Sequence, residues 1–408
     1  MNQQEHARLR GQFPTLAQQV NGHPLVYLDN AATLHKPQAV LDAMNAFYSQ
    51  QNSNVHRSAH GLSQQATAAF EAARTTVAQF LNARFSHEII WTSGTTAGFN
   101  QLVFGLMGPV LQSGDRVLIS SMEHHANIVP WHIHALPFGV ELDVVPLTAE
   151  HRFDLAAFTE LLKLKPKVVS ISHVSNALGH IQPIADIVRL AKAAGAIVIL
   201  DGAQGVVWEQ VDVQALDVDF YLFSGHKLYG PTGIGVLYGK KDYLNLLRPL
   251  LGGGEMIKTV SFAQSSWNDL PYRLEAGTPN MAGAIGLAAA ILWLQQQDLK
   301  AWQQYKTALV QRFYDGCRQI PTLELLSGPT TNAGIVALNL KNEHPADLAT
   351  LLDQQKIAVR AGTHCAMPLF QALNVKGSVR FSFACYNSFD EIDRTLTALA
   401  TAVELLAE

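Results

Sequence analysis

Two short apolar runs, Ala196 to Leu200 and Val218 to Phe223, constrain this chain more than any other feature. They lie inside the stretch GAIVILDGAQGVVWEQVDVQALDVDFYLFSGHKLYGPTGIGVLYG, from Gly195 to Gly239. Each is rich in β-branched or aromatic residues, and each is bounded by Gly or polar residues. Runs of that kind read as strands covered on both faces, as inside a parallel sheet. The first ends on Asp201 and the second on Ser224-Gly225-His226-Lys227. In open α/β sheets, ligands sit beyond the carboxyl ends of the strands. A carboxylate and an amine are therefore delivered to one crevice. Singly, an Asp at a strand end is a cap or turn former, and a Lys in a Gly-rich loop is a solvated charge. Together, with Gln204 close behind Asp201, they point to a ligand.

The preceding chain supplies more strand ends. Val26-Tyr27-Leu28 reads as a brief strand before Asp29-Asn30-Ala31-Ala32-Thr33, whose small residues let backbone approach a ligand. Asn54 to Ser58, with His56 and Arg57, reads as a polar loop. Strand-like segments at Glu88 to Trp91, Arg116 to Ser120 and Lys167 to Ile171 alternate with helical patterns such as Ser63 to Leu81 and Ile184 to Gly195. That alternation predicts a parallel sheet with right-handed crossovers.

Behind the first of these strands, Thr92-Ser93-Gly94-Thr95-Thr96 leads into a helix. Free backbone N–H groups, hydroxyls and the helix dipole make an anion cradle there, suited to a phosphate and carried by Thr95 and Thr96. No Gly-Lys-Ser/Thr follows, so it is not a P-loop. Behind the second strand, His124 is placed to stack on an aromatic ligand and to carry protons. A structural histidine, or a metal site built from His124, His125, His132 and His134, are the competing readings; without a HExxH motif no metal is expected. Asn176 follows the third strand and suits a ring hydroxyl or a carboxylate. Further on, Leu274 to Asn280 forms another Gly-Thr turn, and Thr278 is a further phosphate donor that in a homodimer comes from the partner chain. Convergence of these groups with Asp201, Gln204 and Lys227 is the evidence. A carboxylate facing a ring cation, beside a lysine that forms a Schiff base, is what pyridoxal phosphate (PLP) asks of its protein.

A chain of 408 residues, 48% of them hydrophobic, is long enough for about two domains. The domains expected are a large unit over residues 25–297, and a small α+β unit formed by 1–24 and 298–408. The formal net charge of −4 carries no basic excess, which argues against nucleic acid as a partner. The longest apolar run, Ala284 to Leu294, is too short to span a bilayer, so no membrane is expected. The start, MNQQEHARLR, lacks the apolar core of a signal peptide. Three scattered cysteines, Cys317, Cys365 and Cys385, form no CxxC, and a cytoplasmic location is expected.

One of those cysteines stands in a chemically suggestive loop. Ala358 to Pro368, AVRAGTHCAMP, sets Cys365 between Gly and Pro with Arg360 and His364 nearby as cations, a setting for a reactive thiol. In Val379 to Tyr386 the alternation places Val379, Phe381, Phe383 and Cys385 on one face of a strand, with Cys385 as core. Arg380 points the other way, free to bind a carboxylate through two parallel hydrogen bonds. Cys317, within a helical segment, carries no functional signal.

The pieces EHHANIVPW, HVSNALG, LDGAQG, DFYLFSGHKLYGPTGIGVLYG, LEAGTPN and RAGTHCAMPL resemble, over nearly the whole chain, the group II cysteine desulfurases. These are the SufS/CsdA-like branch of the class V aminotransferases, within the fold-type I PLP enzymes. The resemblance implies a large domain with a mostly parallel seven-stranded sheet and a smaller α+β C-terminal domain. It also implies a cytoplasmic homodimer that converts L-cysteine to L-alanine and passes sulfur, through a persulfide on Cys365, to an acceptor protein of the SufE/CsdE/SufU kind for iron–sulfur cluster assembly or another sulfur pathway. Lys227 then holds PLP and moves the substrate Cα proton. Asp201 pairs with the ring nitrogen, Gln204 and Asn176 address the ring hydroxyl, and His124 stacks on the ring. Thr95, Thr96, Ser224 and His226 hold the phosphate, with Thr278 reaching in from the second subunit. Arg380, aided by Asn176 and the backbone near Ala31, grips the substrate carboxylate, while His56 and Arg360 line the thiol end. Thr363 stands where some relatives have His or Gln, which bears on acceptor preference. Selenocysteine and cysteine sulfinate are further expected substrates. The rival readings are a selenocysteine lyase or small-substrate PLP aminotransferase on the same scaffold, and a non-enzymatic sulfur-carrier or metal-binding protein.

Overall fold

Five of the strand-like runs, joined by two further strands, assemble into one seven-stranded sheet in the computed structural model, which describes residues 2–20 and 23–407. Its strands are β1 (Ile89–Thr92), β2 (Arg116–Ser120), β3 (Glu141–Val145), β4 (Val168–Ser172), β5 (Ile197–Asp201), β6 (Phe220–Ser224) and β7 (Gly235–Gly239). The spatial order is β1-β7-β6-β5-β4-β2-β3. All neighbours are parallel except β7, which runs antiparallel to β1 and β6. Every residue of β4, β5, β6 and β7 is buried, as runs without polar alternation require.

Strand geometry sends alternate residues to opposite faces. Val198, Leu200, Tyr221 and Phe223 join a core with Phe70, Ile187 and Ile291 from the helices on one side. Ile197, Ile199, Phe220 and Leu222 join a second core with Phe99, Leu102 and Trp131 on the other. The strands run one residue further than their apolar runs suggest. Ser172, Asp201 and Ser224 are the last residues of strands because the ladder continues through them: His173 N–H donates to Asp201 O at 2.8 Å, and Gly202 N–H to Leu222 O at 2.8 Å. Ser172 is paired in register with Asp201.

A second, antiparallel sheet is formed by β8 (Leu323–Leu325), β9 (Ile335–Leu340), β10 (Arg360–Gly362) and β11 (Ser378–Ser382), in the order β8-β9-β11-β10. Phe313, Leu348, Leu352 and Leu399 from its helices close a third core over it.

The chain crosses the expected boundary at residue 25 in both directions. Val26 and Leu28 belong to the core of the smaller sheet, and Val26–Tyr27 pairs in parallel with Ile357–Ala358. Leu9, Phe13 and Leu16 instead join the core of the large sheet, where the Phe13 ring meets Trp293 edge-on at 5.5 Å. The expected strand through Cys385 also needs correction. β11 stops at Ser382, Phe383 N–H turns to Gly334 O, and Asn387 N–H closes a turn on Ala384 O. Cys385 is buried, yet it packs in the large core, where it meets the Tyr229 hydroxyl at 3.2 Å, while Val379, Phe381 and Phe383 pack in the small one. Among the described residues no helix is long and apolar enough to cross a membrane, and no cluster of His, Cys, Asp or Glu forms a metal-binding group.

Candidate active site

The carboxyl ends of β1, β4, β5 and β6 open onto a cavity of ≈ 210 Å³ that the smaller domain closes. The large sheet contributes Thr95, Thr96, His124, Asn176, Asp201, Gln204, Ser224, His226 and Lys227 to its lining, the smaller domain Arg360, His364, Cys365 and Arg380, and the N-terminal segment Ala31. Of the residues that the resemblance assigns to cofactor, substrate or catalysis, only His56 and Thr278 lie elsewhere.

At the floor, the Asp201 carboxylate is buried and accepts the Ala203 N–H at 2.9 Å. Burial raises its pKa, while the Ala203 N–H and the Lys227 charge oppose the rise. Burial pushes the Lys227 amine down, with Asp201 partly restoring it. Each group thus keeps the other's charge tolerable. The turn after β5 has no room for side chains at its glycines: a Cβ on Gly202 would sit 2.1 Å from the Tyr221 ring, and one on Gly205 2.2 Å from the His173 ring.

One wall is a donor cradle. The helix Thr95–Leu106 starts beside Ser224, whose hydroxyl accepts the Thr95 N–H at 2.8 Å and lies 2.8 Å from the Thr95 hydroxyl. Gly94 makes this approach possible at φ 150°. The helix has 12 residues, so its first N–H groups add partial positive charge toward an anion. Above the cavity stands His124. Its Nδ1 accepts the Ala126 N–H at 3.0 Å, so the neutral ring carries its proton on Nε2. Burial, then the nearby Lys227 charge, hold its pKa down to about 3. A flat, neutral ring is thus presented to the cavity. Gln204 is fixed by donation from Nε2 to Ala31 O at 2.7 Å.

These residues fit PLP. A buried acid faces an amine, a helix N-terminus offers hydroxyls and N–H groups to a phosphate, and a flat imidazole can cover the ring.

The substrate side is built around Arg380. It donates to Asp29 at 2.8 Å and to Asn176 O at 2.9 Å, while its buried Nε has no partner. Asn176 in turn donates to His364 O at 2.7 Å. Cys365 is half-buried at the rim, on a loop with two consecutive residues in the left-handed region, His364 at φ 50° and Cys365 at φ 56°. Non-glycine residues in such conformations cost about 1–3 kcal/mol each and persist only when their surroundings hold them. His364 is not the cation expected beside the thiol. It is buried, its Nε2 meets the Ser378 hydroxyl at 2.9 Å, and burial depresses its pKa to about 3.

His56 departs furthest from expectation. It lies 3.0 Å from Glu71 and 3.7 Å from Glu255, and edge-on to Tyr272. Its hydrogen bond to Glu71 holds it there, away from the Lys227 cavity. Thr278 lines a neighbouring cleft with Thr96 and Asn100 instead of the cavity itself. Asp29 and Glu123 escaped the sequence reading. Asp29 has no local pattern and is recognised only through Arg380. Glu123 is fully buried and accepts from the Ser120 hydroxyl at 2.5 Å, Asn127 Nδ2 at 2.7 Å and Ser172 N–H at 3.0 Å, which ties the His124 turn to β4. Burial raises its pKa to about 7.

Known proteins are similar to this chain over nearly its full length. A probable cysteine desulfurase of Vibrio cholerae serotype O1 is 51% identical over 398 residues, 98% of each chain. A cysteine desulfurase of Yersinia pestis is 47% identical over 400 residues, again 98% of each. Among solved structures, the cysteine desulfurase CsdA of Escherichia coli, in an S-sulfonic acid form, superposes with a TM-score of 0.90 at 42% identity, covering 98% of both chains. The apo cysteine desulfurase of Thermococcus onnurineus NA1 gives 0.91 at 36%, with 98% of both covered. The family model for aminotransferase class-V matches residues 26–395. With the Lys227–Asp201 pair at the strand ends and that match spanning both sheets, the chain belongs to the class-V aminotransferase family.

Proposed function

We infer that this protein is a PLP-dependent cysteine desulfurase that takes sulfur from L-cysteine onto Cys365 and releases L-alanine. The observation that carries the reading is that Cys365 lines the same cavity as Lys227 and Asp201, although it comes from the other domain. The 47–51% identity to cysteine desulfurases supports the same reading.

Bound PLP supplies an electron sink for the bonds at the substrate Cα, and Asp201 is the acid partner for its ring nitrogen. The chain's own groups do the rest. Arg380 and the Ala31 backbone orient the substrate carboxylate, and the partnerless Arg380 Nε supplies a donor for it. Lys227 Nζ takes the Cα proton and returns a proton to carbon. His124 covers the ring and has a proton on Nε2 to give. The Cys365 thiolate attacks the substrate sulfur: an S–S bond forms, the Cβ–S bond breaks, and its electron pair stays with carbon and is protonated to give the alanine methyl. One sulfur atom moves from cysteine to the enzyme, and no external oxidant or reductant is needed. An acceptor thiol then collects the outer sulfur of the persulfide. Thr95, Thr96, Ser224 and His226 hold the phosphate.

We further place the protein in the cytoplasm as a homodimer serving a protein acceptor. Three free cysteines suit a reducing compartment. The dimer reading is supported by Thr278, which stands at a cleft next to the Thr95–Thr96 cradle, and by the hairpin Ile257–Trp267, which exposes Val260 and Phe262. The test is to incubate the holoenzyme with L-cysteine, quantify alanine, and map the persulfide by mass spectrometry. Alanine with one extra sulfur on Cys365 is expected. A keto acid product, or Cys365→Ala with undiminished cysteine turnover, would falsify the reading.

A further inference from the structure

One residue that the reaction leaves unused grips the backbone just after the Cys365 side chain. The backbone N–H of His125 donates to Cys365 O at 2.7 Å, and the His125 ring accepts the Met367 N–H on Nε2 at 3.0 Å. These contacts flank Ala366, and they hold the exit of a backbone that has Cys365 at φ 56° after His364 at φ 50°. Other contacts of the loop are the Ala366 N–H to Thr363 O at 2.8 Å, Asn176 Nδ2 to His364 O at 2.7 Å and the His364 ring to the Ser378 hydroxyl at 2.9 Å, all before or within the turn, while the Leu369 N–H to Ala366 O at 3.0 Å belongs to the helix that follows. The His125 ring therefore holds the side through which the chain leaves toward the helix Met367–Ala372.

We propose that His125 is a positioning residue for sulfur transfer: its neutral ring clasps the Cys365 loop in the transfer geometry, and protonation of Nε2 releases it. The proposal rests on the cysteine desulfurase reading. Its chemistry is that of a single lone pair. Neutral His125 accepts at Nε2 because its proton is on Nδ1. Protonated, Nε2 becomes a donor facing another donor, the Met367 N–H, and the clasp cannot form. Burial lowers the pKa of His125 below its ordinary value, so the ring is an acceptor at neutral pH and the clasp weakens on acidification. The groups around it reinforce that direction. His124 lies beside it, with ring centroids 6.3 Å apart, and is itself held neutral near the cations Lys227, Arg360 and Arg380. Glu123 is turned into the sheet toward Ser120, Asn127 and Ser172. His134 is occupied by Asn100, and the helix Met367–Ala372 carries no titratable residue. Cys365 is the thiol being positioned.

The test compares the holoenzyme with His125→Gln, whose amide oxygen can accept but does not titrate, and His125→Leu, which cannot accept. Two rates are measured: single-turnover persulfide formation with L-cysteine, and alkylation of Cys365 by iodoacetamide read by mass spectrometry. At neutral pH, His125→Leu should form persulfide about three- to tenfold more slowly, the effect of one lost hydrogen bond. KM should stay within about twofold, and alkylation should quicken as the loop loosens. His125→Gln should keep most of the parent rate. As the pH falls below about 6.5 the parent rate should fall progressively relative to His125→Gln, toward the same factor once the ring is protonated. A parent-to-Gln ratio that stays constant with pH, a Gln variant no better than Leu, or a Leu variant identical to the parent in both rates overturns the proposal. If His125→Leu does not fold, the pH dependence of the parent-to-Gln ratio decides alone. If the parent makes no alanine from L-cysteine, the reaction reading fails, and the alkylation ratio still decides the clasp.

Discussion

Arg380 gives one nitrogen to Asp29, 2.8 Å away, and leaves its buried Nε without a partner. The ion pair fixes the guanidinium, and the idle N–H leaves a donor for a carboxylate, which a planar fork can hold through parallel bonds. Truncation of Arg380 to Gln should raise KM for L-cysteine about a hundredfold, since breaking a buried charge-assisted pair costs about 2–5 kcal/mol. Arg380→Lys should recover only part of that loss. Steady-state kinetics with cofactor saturated provide the check; an unchanged KM would remove Arg380 from substrate binding.

Asp201 and Lys227 make separable demands on the cofactor. Lys227→Ala should abolish covalent attachment, so that PLP is lost on gel filtration in the presence of a competing amine. Asp201→Asn should still retain PLP, held by the Thr95 and Ser224 cradle, but lose turnover by about a hundredfold or more, the usual cost of removing a preorganised electrostatic partner. Absorbance and alanine release, measured on the same samples, distinguish the two. Full activity in Asp201→Asn would contradict the role given to this carboxylate.

Two buried histidines predict acid sensitivity. His180 and His364 are each almost wholly buried, and each has one ring nitrogen without a partner. Burial lowers their pKa values to about 4 and about 3. For a base held below its unfolded value of about 6.5, the unfolded chain binds the extra proton, so folding stability rises with pH in this window. Their contribution is complete above about pH 6.5 and erodes as the pH falls toward 4, at about 1.4 kcal/mol per pH unit for each group. Denaturant unfolding from pH 7 to 5 should therefore show falling stability, less steeply in His180→Asn. A flat profile would mean that these rings are not buried neutral.

Gly202 offers a packing test next to the chemistry. Gly202→Ala places a methyl 2.1 Å from the Tyr221 ring. Overpacking of a full core costs about 1–3 kcal/mol and displaces backbone. Here the displaced backbone carries Asp201, so cofactor affinity should fall together with melting temperature. A variant with parental melting temperature and PLP affinity would show that the turn has slack.

Much of this was legible without coordinates. The runs ending on Asp201, Ser224 and Lys227 were visible because a strand covered on both faces cannot alternate, and the ends of parallel strands collect on one edge of a sheet. The Thr95–Thr96 cradle was visible because a strand end, a glycine and paired threonines coincide at a helix start, although a plain N-cap carries the same residues. Asp29, Glu123 and the backbone partners of His125 were not, since each matters only through a residue far away in the chain: Arg380, Ser172 and Met367 respectively. The same holds for His56, whose sequence neighbourhood says nothing of Glu71 or Glu255, and for His364, whose charge is decided by burial against Ser378.

Apolar periodicity and short polar motifs thus determined a mostly parallel sheet, its polar edge and the chemistry it holds, because those are local consequences of backbone geometry and side-chain type, while the count of seven strands came with the family resemblance. Only tertiary packing decided which side chains keep their charge, where the two domains exchange their N-terminal strand and helix, and how the Cys365 loop is held, because desolvation and long-range hydrogen bonds depend on what the folded chain brings alongside.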